Sequence, residues 1–380
     1  MDTFNSVMAT VGSVLLAILI LLVMITVHEF GHYLAGKALK FKINEFSIGF
    51  GPKLFRRVSK RTGEVFSVRA LPLGGFCAFD GEDGEAETED SFNGKAPWKR
   101  IIVLIAGPLM NYILALLLIA VSMFAFGQMT FSVGSVAPPP EDGRDAGQYI
   151  EYSLKEDDVI LQIEGRNIYM TTDAMSALKG KSAGDTVKAL VFRDGAERTI
   201  DIMLRRDCDF SSLQETSALW HALGIGTYGV TTGEGEEQKT VYYFDLNVVS
   251  YRFGFFATIG HTFEYSWRIA GTIFKVLGEL LTGHLGLDTV GGPITTIKLT
   301  SRIASQSAQH FFEIAAYIGV NLAVFNLLPI PALDGSKVIF CLIEWIFRKP
   351  VPRKVEAIIH AVGFFAILGF AVLVDILQFV

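Results

Sequence analysis

Val27-His28-Glu29-Phe30-Gly31-His32 closes an apolar run, residues 7–27, that carries no charge and is about long enough to cross a bilayer. Two histidines at i and i+4 lie on one helical face and can bind one metal ion. A glutamate beside the first can take a proton from a water activated there. The two patterns together predict metal-assisted peptide hydrolysis inside a membrane. A plainer reading of the same residues is a pair of interfacial histidines ending a transmembrane helix. Against it, ionisable side chains at membrane depth are costly and usually functional.

Composition agrees with a membrane setting. The chain has 380 residues, of which 51% are hydrophobic, and its mean hydropathy is +0.40. That length allows two or three units, and that apolarity points to a polytopic membrane protein. A net charge of −6 argues against nucleic acid as a partner. Cys77, Cys208 and Cys341 are scattered, without zinc-finger or disulfide spacing, so a metal has to be held by histidine and carboxylate. Asp2 is the only charge before His28. The apolar stretch behind it is too long for a signal-peptide core, and it reads as a span.

Four segments can span: 11–34, 101–126, 311–328 and 355–379. The loop 36–100 holds twelve Lys/Arg, and the link before the last span adds Arg348, Lys349, Arg353 and Lys354. The positive-inside rule makes both cytoplasmic, which leaves the termini and 128–310 outside. The outer segment opens with Ala137-Pro138-Pro139-Pro140, a linker. Strand-like runs at 159–163, 187–191 and 198–202, the turn Arg193-Asp194-Gly195 and a short helix over 173–178 predict a small α+β domain. Residues 207–250 are polar and glycine-rich and receive no assignment. Residues 253–281 are amphipathic, with Arg268, Lys275 and Glu279 among apolar residues and Trp267. They read as one or two helices on the outer interface, with a fifth span as the alternative.

Two histidines leave a catalytic zinc site one protein ligand short. The candidate lies in Asn326-Leu327-Leu328-Pro329-Ile330-Pro331-Ala332-Leu333-Asp334-Gly335. Two prolines break a membrane helix here, and broken backbone at that depth is tolerated only against protein or a water-filled cavity. His28 lies about 25 Å along the first span, and Asp334 about 35 Å along the third if the chain stayed helical. Both therefore reach the cytoplasmic side of a core about 30 Å thick. The alternative is an aspartate simply solvated at that interface.

Residues 28–32 and 326–335 together resemble the site-2 protease family of intramembrane zinc metalloproteases, in its bacterial branch with an extracytoplasmic PDZ domain. Further matches are Leu71-Pro72-Leu73-Gly74-Gly75-Phe76, Ala106-Gly107-Pro108-Leu109-Met110-Asn111 and Gly291-Gly292-Pro293-Ile294. The resemblance implies Zn2+ as cofactor, His28, His32 and Asp334 as its ligands, and Glu29 as the base. It implies that 44–79 is a membrane-re-entrant β-hairpin presenting an edge to an extended substrate, with Gly74 and Gly75 at the substrate. Alternation at Phe46, Ile48 and Phe50 and at Val65, Phe66 and Val68 is compatible with strands, and Arg61-Thr62-Gly63-Glu64 reads as their turn. An ordinary cytoplasmic hairpin fits the same pattern.

Residues 131–206 sit where the family keeps its PDZ domain, and 157–165 resembles a stretch of it. Asp157 stands where glycine is usual, 138–147 lacks the usual Pro-Ala-Ala-x-Ala-Gly run, and there is no clear Gly-Leu-Gly-Phe loop. A steric or gating role is thus as open as capture of a peptide C-terminus. Asn111 and Asn326 are polar residues in apolar spans. Each can hydrogen-bond between helices, or hold a substrate backbone beside a buried metal. His221, His261, His284, His310 and His360 lack ligand spacing and are left with structural or surface roles.

The expected fold is a polytopic α-helical membrane protein of about four transmembrane helices, with a re-entrant β-hairpin and an extracytoplasmic α+β PDZ-like domain. In order, the first span with the histidines covers 1–35, the cytoplasmic-side loop 36–100 and the second span 101–127. The PDZ-like domain covers 131–206, an extension 207–252 and the interfacial helices 253–300. The third span with its proline-broken motif covers 301–347, and the fourth 355–380. The expected activity is that of an intramembrane zinc endopeptidase in a bacterial inner membrane. By the resemblance it cuts single-span membrane proteins, such as anti-sigma-factor-like regulators or remnant signal peptides, after a first, outer cut by a site-1-type protease. The alternatives are a non-catalytic membrane scaffold or chaperone binding partners through its outer domain, and a transporter using the broken helix as an ion site. The absence of repeated halves counts against the last.

Overall fold

The computed structural model describes residues 2–82, 88–210, 212, 215–232, 239–286 and 291–379. Packing divides the chain into two units, Met1–Ser122 with Ile259–Phe274 and Gly286–Val380, and Met123–Thr258 with Lys275–Leu285. Among the described residues, four helices are long and apolar enough to cross a membrane: Thr10–Ala38, Pro97–Ala125, Ala308–Leu327 and Arg353–Gln378.

In the first unit, α1 (Asp2–Ala38) runs without a proline. It stops where Lys40 takes φ +59° and the Phe41 N–H turns back to the Gly36 carbonyl at 2.8 Å, a left-handed helix end. Helix α2 (Pro97–Ala125) carries Pro108 inside it, which withholds one backbone donor from the helical ladder. The third candidate span is α8 (Ala308–Leu327); α7 (Pro293–Ala304) precedes it and α9 (Asp334–Phe347) follows it. The break between α8 and α9 holds Pro329 and Pro331, neither of which can donate to a continuing helix. The last helix, α10 (Arg353–Phe379), anchors α7 from the side. Asp375 accepts from the Ile294 and Thr295 N–H groups at 3.0 and 3.2 Å and from the Thr295 hydroxyl at 3.0 Å. It thereby satisfies helix-end donors that would otherwise be orphaned. A Cβ on Gly292 would lie 2.4 Å from the Asp375 carboxyl carbon, which explains the glycine before Pro293. Helix α6 (Phe255–Thr282) is a single amphipathic helix ending at Gly283 in the left-handed conformation, and it falls outside the four candidate spans.

The segment between α1 and α2 is more folded than a plain hairpin. Strand β1 (Ile43–Val58) and β2 (Val65–Phe79) turn at 59–64, but β1 bends back on itself. Glu45, Phe46, Ser47 and Ile48 each pair twice, with 75–78 on one flank and 65–68 on the other, while 53–58 pairs 65–69. Gly49 and Gly51, at φ +85° and +83°, make the bend with Pro52, conformations open to glycine at little cost. The first half of β1 is therefore interior, and the free edges are 53–58 and 75–79. Ser67 donates to Glu45 at 2.7 Å, and Arg69 donates to Ser47 and Glu45 at 3.0 and 2.9 Å, tying the doubled region together.

In the second unit the sheet order is β10-β3-β4-β6-β7, with β5 on β4. These strands are β3 (Gln128–Val133), β4 (Val159–Ile163), β5 (Arg166–Asn167), β6 (Thr186–Arg193), β7 (Ala196–Met203) and β10 (Leu246–Tyr251). Helices α3 (Ala146–Glu151), α4 (Thr171–Leu178) and α5 (Thr216–Ala222) complete the unit, and β8 (Thr227–Thr232) pairs with β9 (Lys239–Phe244) apart from the main sheet. Two tight hairpins have the left-handed pairs Glu164-Gly165 and Asp194-Gly195, whose twist suits two-residue turns. Asp157 has φ +66°, a conformation that glycine adopts more easily and that accounts for glycine being usual there. The segment left unassigned in the sequence contributes β10, which pairs with β3 from Leu246↔Val133 to Tyr251↔Gln128. Val133, Ile160, Val187, Val191, Leu219 and Ile225 are among the residues of one core, so described residues on both sides of position 206 pack together, joined also by the non-local pairing of β3 with β10.

Candidate metal centre

His28 and His32 stand one turn apart on α1, and Asp334 is the first residue of α9. Their ligand atoms converge. The Nε2 atoms lie 3.1 Å apart, and Asp334 Oδ2 is 3.0 Å from His28 Nε2 and 3.3 Å from His32 Nε2. Tetrahedral zinc with bonds of about 2.0–2.1 Å holds its ligands about 3.3 Å apart, so the set has the spacing that such an ion requires. Both histidines are buried. His32 donates from Nδ1 to the Val103 carbonyl at 2.8 Å, which fixes its tautomer and leaves the Nε2 lone pair for a metal. Asp334 Oδ2 has no hydrogen-bond donor among the described residues. A buried carboxylate oxygen facing two imidazole nitrogens in this way is expensive unless a cation or proton joins them. The donor set fits zinc.

Glycine lets the rings sit where they do. A Cβ on Gly107 would lie 2.4 Å from His32 Nε2 and 3.0 Å from His28 Cε1, and one on Gly31 would lie 2.2 Å from the Ala106 carbonyl oxygen. Gly107 had appeared in the sequence only as part of a motif, with no role attached. Glu29, beside the cluster, accepts the Cys77 N–H at 2.9 Å on Oε2. Cys77 lies on the free edge of β2, so the sheet and the acidic residue meet there. A Cβ on Gly75 would approach Ser47 O to 2.9 Å and the Glu29 Cγ to 3.5 Å, and one on Gly74 would overlap the Phe50 ring at 2.0 Å. Of this glycine pair, Gly75 flanks Glu29, and Gly74 is occupied by Phe50.

A cavity of about 260 Å³ opens on His28, Glu29 and Asp334 and is also lined by Asn111, Asn326 and Leu322. Asn111 is fully buried, and neither atom of its side-chain amide has a partner among the described residues. The structure therefore brings His28, Glu29, His32, Asp334, Asn111 and Asn326 to one place. The contact between Glu29 and the Cys77 backbone and the role of Gly107 were not visible in the sequence, because both depend on strands and helices far apart in the chain.

A profile of Peptidase family M50 matches residues 16–370, and the chain belongs to that family, the site-2 proteases. It is similar along nearly its whole length to three bacterial proteins, each named "Putative zinc metalloprotease". The Clostridium perfringens protein is 31% identical over 367 residues, covering 96% of this chain and 97% of the relative. That of Fusobacterium nucleatum is 30% identical over 362 residues, covering 95% and 97%. That of Agrobacterium fabrum is 29% identical over 387 residues, covering 97% of each. The chain is a metalloprotease of the polytopic membrane class, and zinc is its metal.

Proposed function

We propose that the protein is an intramembrane endopeptidase that cuts transmembrane segments of single-span proteins after a first, extracytoplasmic cut. Its substrates are regulators of the anti-sigma-factor kind or remnant signal peptides, released by an upstream site-1-type protease, and its home is a bacterial inner membrane. The observation that carries this reading is the convergence of His28, His32 and Asp334 beside Glu29 on one cavity within the membrane-spanning unit. In this reading His28, His32 and Asp334 are the ligands. Bound there, zinc supplies a Lewis acid that polarises the scissile carbonyl and acidifies water.

Glu29 acts as the base. It takes the proton of the attacking water and returns it to the leaving nitrogen, while the Cys77 N–H holds its second oxygen. Asn111 and Asn326 offer amides to the substrate backbone from the cavity wall. A transmembrane helix hides its peptide bonds in its own hydrogen bonds, so the substrate has to be drawn out extended. The outer flank of 75–79, apart from the Cys77 N–H that holds Glu29, offers strand addition, the sequence-independent way to hold such a chain. Phe50, Leu54, Phe55, Val68 and Leu71 are exposed on the same sheet. That apolar surface supports a sheet dipping into the bilayer. The outer α+β unit has the place and pattern of a PDZ-like domain and limits substrate size.

Glu29→Gln removes the proton acceptor and leaves all three ligands. Cleavage of a co-expressed model transmembrane substrate should vanish, with zinc still bound. Near wild-type cleavage by this variant would overturn the role of Glu29 as the base.

A further inference from the structure

The turn that delivers Asp334 is held by a residue to which the metal chemistry gives no part. The Leu333 N–H donates to the Ile330 carbonyl at 3.2 Å, closing a turn with Pro331 second and Ala332 third. Ala332 has φ +77°. With proline fixed near −65°, this is a type II turn. Such turns favour glycine in the third position, and alanine there is disfavoured by its Cβ, whereas a type I turn with the same ends suits Pro-Ala better.

The two forms differ by a flip of the central peptide, which sends the Ala332 N–H in opposite directions. Here that N–H donates to His360 Nδ1 on α10 at 3.0 Å. Gly363, one turn along α10, receives the rest of the same peptide. A Cβ on it would come within 2.3 Å of Pro331 Cβ and 2.9 Å of the Pro331 carbonyl oxygen. Ala332 lines the catalytic cavity on one side and, on the other, a cavity of about 500 Å³ with His360, Lys337, Cys341 and Phe364. The Gly363 contact bears on Pro331, whereas Ala332 itself faces open space on both sides, which leaves its N–H as the handle on the disfavoured form.

We propose that His360 is a positioning residue. By accepting the Ala332 N–H it selects the type II turn, which sets the direction in which the chain leaves Leu333 and presents Asp334 to His28 and His32. The inference rests on the ligand assignment made above. It gives His360 a hydrogen-bond role, with no charge and no ligation.

The test is the rate at which the purified full-length, zinc-loaded protein releases zinc to a chelator. His360→Leu removes the acceptor and should speed release about tenfold, the scale on which groups behind metal ligands act. His360→Asn, whose Oδ1 falls close to the position of Nδ1, should stay near wild type. In the His360→Leu background, Ala332→Gly lets the turn adopt its observed form unaided and should restore slow release. A general packing role for the histidine would not produce that rescue. Wild-type release by His360→Leu, or failure of Ala332→Gly to slow it, overturns the proposal. Should His360→Leu not fold, His360→Gln replaces it, since its acceptor sits one carbon too far; release as slow as His360→Asn would then refute the idea. Absence of stoichiometric zinc from the wild-type protein would instead refute the ligand assignment itself.

Discussion

Gly107→Ala puts the proposed metal centre to a test that separates metal binding from folding. Alanine in a helix interior ordinarily stabilises by about 1 kcal/mol relative to glycine. Here the added carbon would stand 2.4 Å from His32 Nε2, 2.5 Å from its Cε1 and 3.0 Å from His28 Cε1, against an ordinary contact of 3.4 Å or more. One ring has to retreat by about 1 Å, whereas zinc–nitrogen bonds tolerate about ±0.2 Å. At residue 107 that gain is offset, because Pro108 disfavours the helical conformation of a preceding residue that carries a Cβ, and one ligand is lost. Zinc affinity should fall by about 10- to 100-fold, with a much smaller change in metal-free thermal stability. Metal analysis and thermal unfolding, each with and without chelator, separate the two effects. Stoichiometric zinc together with normal cleavage in this variant would show that the rings do not hold the metal in the observed arrangement.

Asp334→Ala should lower zinc occupancy as well as activity, because two histidines alone bind weakly; an unchanged coordination spectrum would move the third ligand elsewhere. For topology, Lys179→Cys should react with an impermeant external reagent in intact cells and Lys349→Cys should not, in a background lacking the native cysteines. The reverse pattern would invert the orientation. For access, joining Gly134 to Asp245 by a short flexible linker removes most of the second unit and keeps the ends of β3 and β10 paired. Untrimmed substrate should then be cut and trimmed substrate be largely unaffected; loss of trimmed cleavage alone would make the unit a recruiter.

What could be read from the sequence was what local spacing encodes. Histidines four apart share a helix face whatever surrounds them, and an uncharged apolar run can be sized against a bilayer by counting. The count that placed His28 and Asp334 at one depth needed only helical rise, and their side chains meet at 3.0 Å. Features decided by distant partners were not readable. The doubled pairing of Glu45 to Ile48 follows from a bend at Gly49 and Gly51, which alternation alone does not show. His360 looked unattached because its partner is a backbone N–H, and a backbone donor leaves no mark on residue type. Gly363, three residues on, was the nearest hint, since a glycine within an apolar helix often marks close approach.

The pairing of β3 with β10 also governs the order in which this protein can be completed during synthesis. The first strand of the second unit waits for the last, from Gln128 to Tyr251. At ribosomal speeds of about 5–20 residues per second this delay is roughly 6–25 s. Until then one flank of β3 is an unpaired edge, open to the wrong strand. The turn bearing Asp334 emerges later still, so His28 and His32 enter the nascent protein long before the third ligand proposed above. A zinc ion captured at that stage would be held by two imidazoles alone. With the proposed ligand set, full-strength binding is deferred until the second unit has had time to close.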